Sequence, residues 1–488
     1  MNTKTKHAIL ILLALLLVIS LRLPITSHEL GQDSYSMHFM AQSILDEGHA
    51  KWVIHPMSVI GVYNYSYPSG AVYLLSITSS LIGINIEWTI FILSIIFGII
   101  GFFGAYLLAS EIKNTFFFKF ITALLFATLP LSIKFTSWTY STRGLFIMLV
   151  PFFIWSLIKS YKEKKFISLT ILLFILMATI HRMAIILLLI TFAFGISLIL
   201  NKYFNKEYLK KKFGLIIIPF IIFIPLIFLY SGRPSWIYRS IPTYLKFNNN
   251  LISNIGALSY ELFARLGFIF ILSLLGIFCI YFIIKSTDYK LYFLTITTAI
   301  ISVFIYKSMY FYQTIAIVFV ILSVITIDTL RKKVPHSKYV VGVIILILIT
   351  FSIFTINVRV ENNNFMHNSL DGIGGYINTN IPINEKIQGV DQNKIKTIIQ
   401  NRIGSTSLTL QYIYDNLDIQ SERELKGFPT TLGEISSFLK KPFLDSTFPS
   451  LENNEEINYN IKSSSSKVSS CSNNLYENSD YELIELTD

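Results

Sequence analysis

Carboxylates are scarce in the first three quarters of this chain, and the scarcity narrows where acid–base chemistry could occur. Residues 1–358 hold 11 Asp/Glu. Glu111, Glu163, Glu207, Asp288 and Asp328 stand in or beside lysine-rich segments. The other six are Glu29, Asp33, Asp46, Glu47, Glu87 and Glu261. Asp33 sits in Gly31-Gln32-Asp33-Ser34-Tyr35-Ser36-Met37-His38, directly after an apolar run. A carboxylate held at the edge of an apolar medium is partly desolvated, which raises its basicity and suits it to act as a general base. Cationic and aromatic residues recur in comparable polar segments: His38, Lys51, His55 and Tyr67, then Tyr140 and Arg143, then His181 and Arg182. Guanidinium, imidazole and ammonium groups among aromatics suit a phosphate carried on an apolar chain together with a sugar. No metal-ligand spacing stands out, so no cofactor is required by the pattern. A divalent ion (Mg or Mn) remains compatible with the carboxylates.

Each of these residues also has a plainer reading. Asp33 is a natural N-cap for the helix that the pattern places over 33–47, with Gly48 as its C′ residue. That helix alternates Tyr35, Phe39, Met40, Ile44 and Leu45 with Ser36, His38, Gln42, Ser43 and Asp46. It is amphipathic and suited to lying along a membrane surface. Trp138 and Tyr140 could belong to an aromatic belt, and Arg182 could reach toward lipid headgroups. Convergence on one face is what favours a site.

The composition says what must position these residues. Of 488 residues, 53% are hydrophobic and 14% charged, and mean hydropathy is +0.58. A soluble domain carries about 25% charged residues, so an ordinary soluble enzyme is excluded. Two cysteines, Cys279 and Cys471, exclude a disulfide scaffold, a thiolate zinc site and an iron–sulfur cluster. The net charge of +11 divides unevenly: +18 over residues 1–358 and −7 over 359–488. That asymmetry describes a basic membrane domain joined to an acidic aqueous one and argues against nucleic-acid binding.

A spanning helix needs roughly 20 apolar residues. Eleven stretches qualify: about 8–24, 87–109, 116–132, 145–158, 166–181, 183–200, 213–230, 266–284, 291–306, 309–327 and 339–357. Arg22–Pro24 stand where a signal-peptide cleavage site would need small residues, so the first stretch reads as an uncleaved span. With the amino terminus cytoplasmic, 19 Lys/Arg fall on the cytoplasmic side and ten on the other, as short-loop charge bias requires. Residues 359–488 are then extracytoplasmic. They read as a small α/β domain: strands at 386–390 and 408–414, helices at 393–402 and 434–440, and a hairpin over 475–484 turning at Asn478-Ser479-Asp480. The fold class is an α-helical polytopic membrane protein with a soluble carboxy-terminal domain.

The first span ending in Arg22-Leu23-Pro24, then Gly31-Gln32-Asp33-Ser34-Tyr35 with His38, Ala41 and Gly48, then Tyr67-Pro68-Ser69-Gly70, resembles the GT-C superfamily of membrane glycosyltransferases. The superfamily includes oligosaccharyltransferases, protein O-mannosyltransferases and aminoarabinose transferases. The resemblance implies that Asp33 is the essential first-loop acidic residue. It further implies a polyprenyl- or dolichyl-phosphate-linked sugar donor, and a protein, lipid or glycan acceptor at the outer face. Residues 131–144 contain no Asp or Glu, and 359–488 lack a W-W-D motif. The pattern therefore departs from oligosaccharyltransferases and fits a monosaccharide transferase of the O-mannosyl or aminoarabinose kind. A transporter or lipid flippase, or a polysaccharide polymerase, is the alternative for a polytopic chain acting on lipid-linked sugars.

Overall fold

The computed structural model describes residues 2–24, 26, 29–47, 70–203, 206–231, 251–284, 288–304, 310–334, 337–363, 387–389, 459–463, 472–477 and 481–486. Sixteen helices are described: α1 Thr3–Ser20, α2 Gln32–Glu47, α3 Gly70–Ile82, α4 Ile86–Ile112, α5 Phe116–Ala127, α6 Pro130–Lys134, α7 Thr142–Lys162, α8 Lys165–Ile180, α9 Ala184–Tyr203, α10 Glu207–Ser231, α11 Leu251–Leu266, α12 Ile269–Phe282, α13 Tyr289–Phe304, α14 Tyr310–Thr314, α15 Ala316–Lys333 and α16 Ser337–Asn363. Four strands follow: β1 Ile387–Gly389, β2 Tyr459–Ser463, β3 Ser472–Glu477 and β4 Tyr481–Leu486.

A helix underlies each of the eleven apolar stretches. Among the described residues, α1, α4, α7 and α9 are each long and apolar enough to cross a membrane, and α11 with α12 adds a fifth if taken as one span. That pair is bent by 94°. Five further apolar helices have only 10–17 residues. Three of the expected stretches are covered by short helices, α5, α8 and α13: at 1.5 Å per residue, a 16-residue helix such as α8 reaches about 24 Å, short of a hydrocarbon core of about 30 Å. The helix expected over 145–158 is instead a full-length one, because α7 extends to Thr142 and Lys162. The chain is a multi-pass membrane protein.

By its contacts the chain forms two units: Met1–Leu23, Leu93–Ser137 and Thr142–Arg359 in the first, Pro24–Ile92, Trp138–Ser141 and Val360–Asp488 in the second. In the first unit α12 packs along α15, α9 along α13 and α7 along α8. Lipid is as apolar as leucine, so helices in a membrane associate through close approach and buried hydrogen bonds. The α12–α15 seam has both. Ser323 Oγ donates to the Ile269 carbonyl at 2.7 Å, and Thr326 Oγ1 to that of Leu272 at 2.7 Å. At Gly276 the Leu322 backbone comes so near that a Cβ would overlap it.

One end of this unit gathers the lysines. Lys159 and Lys162, in the last turn of α7, lie 3.2 and 3.6 Å from Glu111 in α4. Asp328 in α15 pairs with Lys113, with Arg331 at 3.3 Å and with Lys332 at 3.4 Å. From Thr142 to Lys162 α7 runs 21 residues, about 30 Å of helix, so the lysine end and the first turn of α7 are a bilayer thickness apart.

In the second unit α2 packs on α3. Among the described residues of α2, Ser34, Met37 and Ala41 are buried. Their spacing of three and four is the stripe that an amphipathic helix turns inward. The sheet runs β1-β2-β4-β3, with β1 parallel to β2 and the other pairs antiparallel. The strand expected at 386–390 and the hairpin around 478–480 therefore have their counterparts in β1 and in β3–β4. The helices at 393–402 and 434–440 and the strand at 408–414 lie outside the described residues.

Candidate functional site

Asp33 does not cap α2. The helix begins at Gln32, so the cap position falls to Gly31, whose φ of +91° is a conformation glycine adopts without a Cβ penalty. Asp33 lies in the first helical turn and is exposed. There its negative charge meets the positive end of the helix dipole.

The carboxylate that organises this part of the chain is Glu29. It is 1% exposed and takes hydrogen bonds on both oxygens. Ser34 Oγ donates to Oε2, and His38 Nδ1 donates to Oε1 at 2.6 Å. The Glu29 N–H donates to Glu87 Oε1 at 3.1 Å, in the first turn of α4. Burial works to strip His38 of its proton. The charge and hydrogen bond of Glu29, with Glu87 adding, outweigh that and raise His38 above its ordinary value.

Residues 138–141 complete the arrangement. The Leu30 N–H donates to the Trp138 carbonyl at 2.9 Å, and Thr139 Oγ1 donates to the Leu30 carbonyl. The Tyr140 N–H donates to Ser34 Oγ at 2.8 Å, and its hydroxyl donates to the Ala71 carbonyl at 2.6 Å. Tyr140 is fully buried, which pushes its phenol far above the ordinary range. Trp138 is not a belt residue. It is 3% exposed, stacks on Trp88 at 6.0 Å, and holds φ at +41°. A bulky residue there is strained, and such strain persists only where the surroundings impose it. Its indole N–H has no hydrogen-bond partner among the described residues.

The other expected residues meet in the first unit. Arg143, in the first turn of α7, lies over the Phe135 ring at 5.3 Å and the Tyr310 ring at 5.5 Å. Tyr310 also meets the His181 ring edge-on at 5.8 Å. His181 follows α8 and is buried, with Arg182 beside it. Burial first, then the charges of Arg143 and Arg182, hold His181 well below its ordinary value. The imidazole is therefore neutral. Its Nδ1 accepts the Met183 N–H at 3.0 Å, which leaves the ring proton on Nε2. Arg265, whose Nε donates to Glu261 Oε2 at 2.8 Å, is close enough for the charge of Arg143 to act on it.

Of the expected site residues, Arg143, His181 and Arg182 come together in the first unit. Asp33, His38 and Tyr140 belong to the second. Lys51, His55 and Tyr67 lie outside the described residues. Glu29 and Glu87 were among the six candidate carboxylates, but nothing in the sequence ranks them above Asp33. Tyr310 carries no local signal at all. Among the described residues no three of His, Cys, Asp and Glu converge as a metal requires.

No family model and no curated protein matches the sequence. Solved structures do. The archaeal oligosaccharyltransferase AglB from Archaeoglobus fulgidus, in complex with an inhibitory peptide and a dolichol-phosphate, matches with a TM-score of 0.58 at 11% identity, covering 94% of this chain and 69% of that one. The same organism's enzyme in complex with Zn and sulfate gives 0.53 at 11% identity, over 93% and 68%. ArnT from Cupriavidus metallidurans, bound to undecaprenyl phosphate, gives 0.48 at 10% identity, over 99% and 98%. At such identities what is shared is the fold: the chain has the architecture of the archaeal oligosaccharyltransferase.

Proposed function

We propose that this chain is a membrane glycosyltransferase that takes a sugar from a polyprenyl-phosphate-linked donor and passes it to a hydroxyl-bearing acceptor outside the cytoplasm. The observation that carries the reading is the convergence of Arg143, His181, Arg182 and Tyr310 at the end of α7 remote from the lysine cluster, within a GT-C fold. The lysine end is cytoplasmic, as the charge bias predicts. The arginine end then meets the outer leaflet, where a lipid-borne phosphate would lie.

The reaction is an in-line displacement at the anomeric carbon. Asp33 takes the proton of the acceptor hydroxyl as the new glycosidic bond forms. The bond to the donor phosphate breaks, and its electron pair leaves with the phosphate. Arg143 and Arg182 face the charge that develops there, and neutral His181 offers its Nε2 proton as a hydrogen-bond donor. Lys51, His55 and Tyr67 are assigned to the substrate by the sequence pattern alone. The account requires no divalent ion such as Mg or Mn and is compatible with one. Tyr140 acts by holding Ser34 and Ala71 in place.

We assign residues 1–358 to the membrane domain and 359–488 to an extracytoplasmic α/β domain that binds the acceptor or braces the fold. The absence of carboxylates from 131–144 favours a single hexose or pentose over an oligosaccharide as the transferred group. The test is to incubate membranes carrying the chain with labelled polyprenyl-phosphate sugars and follow the label. Transfer that is lost in Asp33→Asn, with insertion intact, supports the reading. Full activity in that variant overturns it.

A further inference from the structure

Glu29 stands apart from every role assigned so far. A buried carboxylate is costly unless its lone pairs are satisfied, and here both oxygens accept from side chains that follow Asp33 on α2. Ser34 is the next residue in the chain and His38 lies five further on than Asp33. The Glu29 backbone is in turn tied to Glu87 in α4, and Ser34 to the Tyr140 N–H. The turn bearing Asp33 is thus gripped from three segments of the second unit, with the Glu29 carboxylate at the junction.

We propose that Glu29 is the positioning residue of the first-loop site. Through Ser34 it sets the turn of α2 that carries Asp33, and through its second oxygen it orients the His38 imidazole. The inference rests on the reading of Asp33 as general base, and it assigns Glu29 no contact with substrate. A carboxylate serving only to close the helix end would spend its oxygens on the free backbone N–H groups of the first turn. Glu29 spends them on two side chains instead. The charges that act on His38 agree: Glu29 and Glu87 are both acidic, and the ring is held protonated to higher pH than usual.

Glu29→Gln in the full chain, reconstituted in lipid nanodiscs, separates positioning from mere structure. The His38 ring is followed by NMR of ¹⁵N-labelled histidine, assigned by loss of its signal in His38→Asn. Transfer from a labelled polyprenyl-phosphate sugar is measured alongside. We expect the His38 titration midpoint to fall by about one pH unit or more. We expect kcat to drop roughly ten- to hundredfold, with KM for the donor within about twofold. An unchanged midpoint with unchanged kcat overturns the proposal. So does a loss of kcat that only tracks the fraction of folded protein. If Glu29→Gln does not fold, Ser34→Ala cuts the link to Asp33 and leaves the His38 contact. Its kcat should fall while the His38 midpoint stays, and unaltered kcat there overturns the proposal. Because the NMR readout needs no turnover, a wild-type chain inactive toward the donor counts against the transferase reading separately from Glu29.

Discussion

Arg22 Nε donates to Thr136 Oγ1 at 2.9 Å, joining the exit of α1 to a residue 114 positions later. The same guanidinium donates to the carbonyls of Val18 at 2.8 Å and Ala127 at 3.0 Å. Arg22 is fully buried, so it is not one of the loop charges that orient the bundle.

Removing Arg22 should therefore cost stability rather than topology. Each charge-assisted hydrogen bond left unmade in the interior costs about 1.5–3 kcal/mol. Arg22→Met should lower the unfolding temperature in detergent markedly while the orientation of the chain is kept. Arg22→Lys should recover little, because an ammonium cannot present donors in the planar fork that meets three acceptors. Thermal unfolding followed by size-exclusion chromatography reads both. A lysine variant as stable as wild type would contradict the account.

Gly276 should tolerate no side chain. A Cβ there runs into the Leu322 backbone, which has no rotamer to escape into. Gly276→Ala should destabilise the α12–α15 seam by about 1–3 kcal/mol, the usual range for overpacking. Gly195 and Gly342, where an added Cβ meets nothing within 4 Å, are the controls. Equal melting of all three alanine variants would show that the seam is not close-packed.

His181 gives the stability a pH dependence of known sign. Its folded pKa lies well below the ordinary 6.5, because burial and then Arg143 and Arg182 oppose its charge. Above 6.5 both folded and unfolded states hold it neutral, and its contribution is fully present. As pH falls below 6.5 only the unfolded chain takes the proton, so stability declines, by at most about 1.4 kcal/mol per pH unit. His181→Asn keeps an acceptor for the Met183 N–H and should flatten this acid limb. Unfolding temperatures measured from pH 7 downward on both proteins would show it, and parallel curves would contradict it.

Arg143 and Arg182 should matter to the donor in proportion to the charge that each faces. Removing one preorganised donor to a developing anion costs about 10²–10³ in kcat. Arg143→Gln should lose that much, and it should also lift the His181 pKa by taking away a neighbouring positive charge. A variant with full activity toward a polyprenyl-phosphate sugar would remove Arg143 from the phosphate site.

By itself the sequence determined the class of molecule. Apolar runs report partition into lipid residue by residue, and lysine clusters report on which side short loops stay, so neither needs a tertiary contact to be read. It also placed Asp33 at the start of an amphipathic helix, because the spacing of α2 is a local property. What it could not rank was the role of the six carboxylates. Glu29 and Asp33 look alike in sequence, but folding buried one among Ser34, His38 and Glu87 and left the other exposed. Arg22 and Arg143 look alike as loop cations, yet one is locked inside by Thr136 and the other lies against Tyr310, a residue 167 positions away in the chain. Burial and partner choice depend on segments distant in sequence, and only the tertiary structure decides which of two identical side chains is locked into the interior and which lies against an aromatic ring.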